Sequence, residues 1–175
     1  MTTTNDAVTE LPTGTWEVDA SASELGFGAR GMFGLVPVHG HFGEFTGTLT
    51  VDPAGARGEL LIQAASLDTH NAKRDKHLRS ADFFDVEAHP TVTFELTSVK
   101  PGPDGALAVS GTLRIRENAF AITTPVSVDR NGPDRLTLTT AIDVDRAAAG
   151  VGWSKMGMIK GKAHLSAKVS LSKRD

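Results

Sequence analysis

The sequence predicts an all-β chain of eight or nine antiparallel strands, with one short helical connection, closed into a barrel. Three observations carry this expectation. Apolar and polar residues alternate with a period of two through most of the chain, clusters of Gly, Pro, Asn and Asp separate the alternating runs, and glycines fall inside the runs as well as between them.

Residues 1–13 are Thr-rich and unpatterned, and are expected to form a flexible tail ahead of a single domain spanning 14–175. From Thr15 the pattern begins. Trp16 and Val18 alternate with Thr15, Glu17 and Asp19, and Leu25, Phe27 and Ala29 alternate with Glu24 and Arg30. Phe45, Leu49 and Val51 share a parity with Gly43 and Gly47, while Glu44 and three threonines take the other face. Leu60, Ile62 and Ala64 follow, then Val92, Phe94 and Leu96 between threonines and Glu95. Later runs place Val109, Leu113 and Ile115, then Ile122, Val126 and Val128, then Leu136, Leu138 and Ile142, and finally Leu165, Ala167 and Val169 on common faces.

The segments DPAGARG at 52–58, PGPDG at 101–105 and RNGPD at 130–134 carry the turn residues that join antiparallel neighbours. Short gaps favour antiparallel neighbours, because parallel crossovers need a dozen or more residues. Only 70–80 lacks the alternation and reads as a helix, with Thr69 or Asn71 as its cap and Asp75 four residues before Arg79.

A sheet this long closes into a barrel or folds into a sandwich, which manages its exposed edges, and Gly26, Gly28, Gly43, Gly47 and Gly111 within the strand-like runs favour the barrel. Eight strands enclose a space that side chains fill or one small ligand occupies. Ala29, Gly43, Gly47, Ala64, Gly111 and Ala167 lie on the apolar parity and are expected to leave that space partly open.

The chain has 175 residues, enough for one domain with a real core. Its net charge of -3 gives no electrostatic reason to bind nucleic acid or an anionic membrane. With no cysteine, disulfides, thiolate nucleophiles and Cys-based metal sites are excluded. No secretory signal or membrane-spanning apolar run is visible, so the expected location is cytoplasmic.

Four groups of residues invite a chemical reading. His39 and His41 form a His-x-His pair that places two imidazoles on one strand face, as a metal-binding barrel enzyme would need. Glu44 falls on the opposite face, and His164 opposes Leu165 and Ala167, so the reading favours histidines at the mouth or surface over a metal site. Asp75, His77 and Ser80 offer acid–base groups, but neighbours on one short helix rarely assemble a nucleophile, its base and an orienting group. Local salt bridges among Arg74, Asp75 and Arg79 that fix the connection are the preferred account. Phe83 and Phe84 are adjacent aromatics in an irregular segment, where burying one contributes about 1.5–3 kcal/mol. They cork the barrel or wall a cavity. Trp153, Met156 and Met158 fall in a Gly-punctuated loop whose thioethers suit a variable apolar partner.

The segment DTHNAKRDKHLRSADFFDVEAHPTVTF at 68–94 resembles the signature of the YceI-like polyisoprenoid-binding family, with its Asp-Thr-x-Asn start, Arg-Asp-x-His-Leu helix and Asp-Phe-Phe-Asp. VDASASELGF at 18–27, GHFGEFTGTLTVD at 40–52, GTLRIR at 111–116 and DVDRAAAGVGW at 143–153 agree in order. Gly31 stands where many relatives carry histidine, and ENAFAITT replaces a Gly-Val-Thr-like turn. Many relatives are also exported with a signal peptide.

The resemblance implies an extended lipocalin-like barrel of eight antiparallel strands, holding an isoprenoid or similar long amphiphile, commonly as a homodimer. No cofactor is expected. On this reading Phe27, Phe45, Leu60, Ile62, Phe94, Leu113, Ile122 and Trp153 line the cavity. Phe83, Phe84, Met156 and Met158 border it, and His39 and His41 meet a polar head near the mouth. Burying a chain of about twenty carbons has a gross driving force on the order of 15 kcal/mol, from which ordering costs leave micromolar to nanomolar affinity. The competing expectations are a barrel enzyme, using metal at His39 and His41 or Asp75 with His77, and a filled barrel acting as a protein-interaction module. An exposed Phe42 would serve the latter's interface or a dimer.

Overall fold

A computed structural model describes residues 11–31, 36–81, 84–102, 105–145 and 159–174. Eleven strand segments form one antiparallel sheet: β1 (Gly14–Val18), β2 (Glu24–Gly31), β3 (Val36–Phe42), β4 (Phe45–Asp52), β5 (Gly55–Gln63), β6 (Leu67–Asp68), β7 (Thr91–Pro101), β8 (Leu107–Ile115), β9 (Asn118–Arg130), β10 (Arg135–Asp145) and β11 (Ile159–Arg174). The long β11 pairs with β2 through its first part and with β1 at its end, which closes the barrel. Because β1 pairs with β4 while β2 pairs with β3, the segments 14–31 and 36–52 are each one strand interrupted at a corner. The same holds for β5 and β6, which meet β4 and β3 respectively. The result is a closed barrel of eight strands in simple up-and-down order.

Each corner has a local cause. Between β1 and β2 a short 3-10 turn is capped by Asp19, whose carboxylate accepts from the Ser21 N–H at 3.1 Å and the Ser21 hydroxyl at 2.6 Å. A second 3-10 turn at Ala64–Ser66 separates β5 from β6. Between β3 and β4 the chain changes partner, the Gly43 N–H donating to the Ser66 carbonyl and Glu44 accepting from Gln63.

That change of partner reverses the side-chain parity expected for residues 39–45. Phe42 and Phe45 are both buried, although three residues apart, while His39 and His41 are exposed. An unbroken strand from residue 39 to 45 would put the histidines on Phe45's face; the corner prevents this, and the expectation of an exposed Phe42 fails. A two-residue break flips one half of a strand relative to the other.

One end of the barrel is packed solid. Trp16, Leu107 and Leu136 are almost wholly buried there, and the Trp16 indole N–H donates to the Pro12 carbonyl at 3.1 Å. Leu11 also packs onto this core, so ordered contacts begin ahead of β1. The β4–β5 hairpin turns on Asp52, which accepts from the Ala54 N–H at 2.9 Å, and on Gly55, whose φ of +138° favours glycine.

Two glycines expected to leave open volume are instead covered by neighbouring side chains. A Cβ at Gly111 would lie 2.4 Å from the Phe94 ring, and one at Gly47 would lie 2.8 Å from Val18 Cγ2. Gly43 is exposed at the corner, and Ala64 is buried in the second 3-10 turn. Ala167 keeps the expected role, facing inward on β11.

Candidate functional site

The helix α1 (Ala72–Arg79) lies in the connection between β6 and β7. Asn71 caps it, its side chain accepting from the Arg74 N–H at 3.0 Å. Hydrogen bonds to neighbouring backbone and to a buried hydroxyl hold the helix in place. The buried Asp75 carboxylate accepts from the Thr69 N–H at 2.9 Å and from the Thr69 hydroxyl. Arg74 donates from Nε to the Thr69 hydroxyl oxygen and from Nη2 to the Thr69 carbonyl, both at 2.9 Å. Arg79 reaches back to the carbonyls of Ala65 at 3.0 Å and Leu67 at 2.8 Å. Arg79 thus bonds across the barrel corner, where the sequence suggested a local ion pair with Asp75. Charge-assisted bonds of this kind are stronger than neutral ones and tie the helix over one end of the barrel.

Beneath the helix lies an aromatic cluster. The Phe27 ring is 5.1 Å from that of Phe42 and 6.4 Å from that of Phe84, and Phe42 meets Phe84 edge-on at 5.9 Å. Offset and edge contacts of this kind add to simple area burial. Phe27 lies over Gly40, where a Cβ would approach its ring tip to 2.5 Å, so glycine there makes room for the ring.

Between this cluster and the packed end is a cavity of about 370 Å³ with an almost wholly apolar wall. Phe27, Leu60, Ile62, Phe84, Phe94, Leu113 and Ile122, all named from the sequence, line it. Phe45 is buried in the surrounding core instead. His39 and His41 are exposed and take no part in the wall. Phe83, Trp153, Met156 and Met158 lie outside the described residues.

The sequence reading missed several of the residues that line the cavity. Phe42, Leu78, Arg74 and His77 reach it from β3 and α1, and a pair of threonines, Thr124 on β9 and Thr140 on β10, places two hydroxyls 2.8 Å apart in its wall. The threonines were legible in principle, since each sits on the inward parity of its strand.

Outside the wall, the His41 and His70 rings lie 5.8 Å apart. Asp68 accepts from the His70 N–H at 2.8 Å, which together with the nearby imidazole holds its carboxyl below the ordinary carboxylate range. Among the described residues, no group of three His, Asp or Glu side chains is disposed to hold a metal ion. The Asp75 carboxylate is committed to Thr69, and the Ser80 hydroxyl donates to the His77 carbonyl.

Residues 16–171 match the model of the YceI-like domain. The chain belongs to the YceI-like family. A UPF0312 protein of Ectopseudomonas mendocina is 38% identical over 94 residues, which cover 52% of this chain and 47% of that protein. Protein YceI of Escherichia coli O157:H7 is 40% identical over 95 residues, covering 53% and 47%. These matches span about half the length of the curated relatives.

Among solved structures, BcnA of Burkholderia cenocepacia superposes with a TM-score of 0.79 at 24% identity, over 87% of this chain and 98% of its own. A polyisoprenoid binding domain from Saccharophagus degradans, described as implicated in plant cell wall breakdown, gives 0.77 at 18% identity over 91% and 98%. At these identities the likeness establishes the YceI-like barrel. In this chain, the barrel surrounds a greasy chamber under a hydrogen-bonded helix.

Proposed function

We propose that this YceI-like protein carries or sequesters a long-chain isoprenoid-type lipid, such as a quinone or polyprenyl derivative, inside the barrel. The observation that carries the reading is the cavity itself, about 370 Å³ with a wall that is mostly apolar. A barrel filled by its own core would lack that space, which counts against the interaction-module reading. The name given to the Saccharophagus degradans structure, a polyisoprenoid binding domain, supports the same ligand class.

Cavity size bounds the ligand. Allowing about 25–30 Å³ for each chain carbon, close to the volume a water takes in the liquid, the chamber holds about a dozen to fifteen carbons. At about 0.8 kcal/mol for each carbon, the gross driving force is roughly 10 kcal/mol, somewhat below the expectation for a twenty-carbon chain. After the cost of association, affinity in the micromolar range follows for a ligand that fits. A longer chain must extend beyond the chamber.

The test is gentle purification from the native source, organic extraction and mass spectrometry. One polyprenyl or quinone species near one per protein would establish the carrier role and name the cargo. A folded protein that yields no lipid, and that takes up none when offered, would refute it.

A further inference from the structure

The barrel wall is incomplete between β9 and β10. Their ladder runs from Leu136–Arg130 to Thr139–Ser127 and stops. Beyond it, residues 118–126 of β9 remain paired with β8, and residues 140–145 of β10 remain paired with β11. Among the described residues the two strands are not paired with each other along that stretch.

Pro125 explains where the ladder ends. Its carbonyl accepts from the Thr140 hydroxyl at 2.9 Å, so that carbonyl points toward β10. In a strand, the nitrogen of a residue points to the same side as its carbonyl, so the position lacking an N–H is the one that would continue the ladder. From mid-barrel to the end under α1, two strand edges border the cavity with backbone groups that lack each other as partners.

The unpaired stretch lies between the cavity and a depression on the outer face. Ile122 and Thr124 on one side, and Thr140 and Ile142 on the other, line the cavity. Pro125, Thr140 and Ala141 also border a shallow surface depression together with Ser166 and Lys168. Thr140, Ser166 and Ala167 belong to both surfaces.

Thr124 and Thr140 stand at the head of the slot. The Thr140 proton goes to the Pro125 carbonyl, and the Thr124 proton is shared with the Thr140 oxygen and, at 3.4 Å, the same carbonyl. Both hydroxyl protons are therefore committed, and what the pair offers a ligand is acceptor capacity.

We propose that an amphiphile enters the barrel tail-first through the slot between β9 and β10, and that its head, an uncharged group bearing a hydroxyl donor, rests on the Thr124–Thr140 pair, which within the class proposed above selects a polyprenol or a reduced quinol over an oxidised quinone. This rests on the carrier reading. It also gives a chain longer than the chamber a way out through the wall.

The native chain has no cysteine, so a single engineered pair tests the route without competing thiols. Thr123 and Asp143 are exposed on the two edges and would be opposite each other if the ladder continued. A disulfide in Thr123→Cys/Asp143→Cys needs Cα atoms within about 4.4–6.8 Å and closes the slot there. Uptake of tritiated farnesol, a fifteen-carbon isoprenoid alcohol, is expected to slow by about tenfold or more when the pair is oxidised and to recover on reduction.

Uptake at the same rate in both states overturns the route. If the oxidised pair unfolds, Thr123→Cys carrying a polyethylene-glycol maleimide, compared with the same label on exposed Thr46→Cys, gives the same decision. For the head, the unmodified protein should prefer farnesol over farnesyl acetate, which lacks the donor, by about three- to tenfold. Thr124→Val/Thr140→Val should abolish that preference, and a preference left intact overturns the head assignment. An unmodified protein that takes up neither compound refutes the carrier reading itself, whereas uptake indifferent to the cross-link refutes only the slot.

Discussion

Ala167 is the small inward residue on β11 that lines the cavity, between Leu165 and Val169, which line it too. Replacing it by leucine puts three more carbons into the chamber. Two estimates of the effect on the empty protein agree. Burying three carbons contributes about 2 kcal/mol, and filling about 80 Å³ of cavity at roughly 24 cal/mol for each Å³ gives about the same.

Ala167→Leu should therefore stabilise delipidated protein by about 2 kcal/mol, read as a higher urea midpoint with an unchanged slope. The same carbons exclude ligand. A fifth or so of the cavity is lost, and with it about three ligand carbons, so farnesol affinity in equilibrium dialysis should fall about thirtyfold. Stability and affinity move in opposite directions because they draw on one volume. A variant that is destabilised while binding farnesol as before would refute the reasoning, since the space at Ala167 would then be neither empty nor the ligand's.

Gly111→Ala should destabilise by about 1–3 kcal/mol in urea unfolding, because the new Cβ meets both the Phe94 ring and the Glu95 carbonyl at 2.4 Å, and backbone cannot move aside cheaply. Asp75→Ala leaves the buried Thr69 N–H and hydroxyl without their acceptor and should cost about 1–3 kcal/mol, with loss of protection in α1 by hydrogen exchange. Acid should weaken the fold through Asp19 and Asp68. The Asp19 carboxyl is lowered by its bonds to Ser21 and Arg135, and Asp68 by the His70 N–H. Both groups hold a proton less tightly when folded, so the unfolded chain binds more protons and stability rises with pH. Their contribution is complete above the ordinary aspartate value of about 3.9 and lost as pH falls through the lowered folded values. Asp19→Asn/Asp68→Asn should flatten the acid limb of a stability–pH profile, and an unchanged limb would contradict the assignment.

The alternation of Val109, Leu113 and Ile115, or of Leu165, Ala167 and Val169, was enough to orient whole strands, because an unbroken strand has a strict period of two and one buried face. The same rule failed at His39, His41 and Phe42. There the chain exchanges one pairing partner for another, and a corner of two residues reverses parity without any mark in local composition except Gly43.

Strand number and the helix with its Asn71 cap were legible in the chain, since they depend on residues near one another in sequence. Closure, in contrast, joins β11 to β1 and β2 from the far end of the chain, and was expected only from the need to protect sheet edges, the glycines within strands and the family resemblance. The cavity was only partly legible. Glycine on an inward face reads as missing volume, yet at Gly111 and Gly47 that volume belongs to Phe94 and to Val18. Whether a gap stays open depends on which side chain leans across from the next strand. The slot is similar. Pro125 announces a broken ladder, but only the closed sheet shows that the break faces β10 and borders the chamber. Sequence determines what each strand buries, and tertiary packing decides how much room is left between the buried faces.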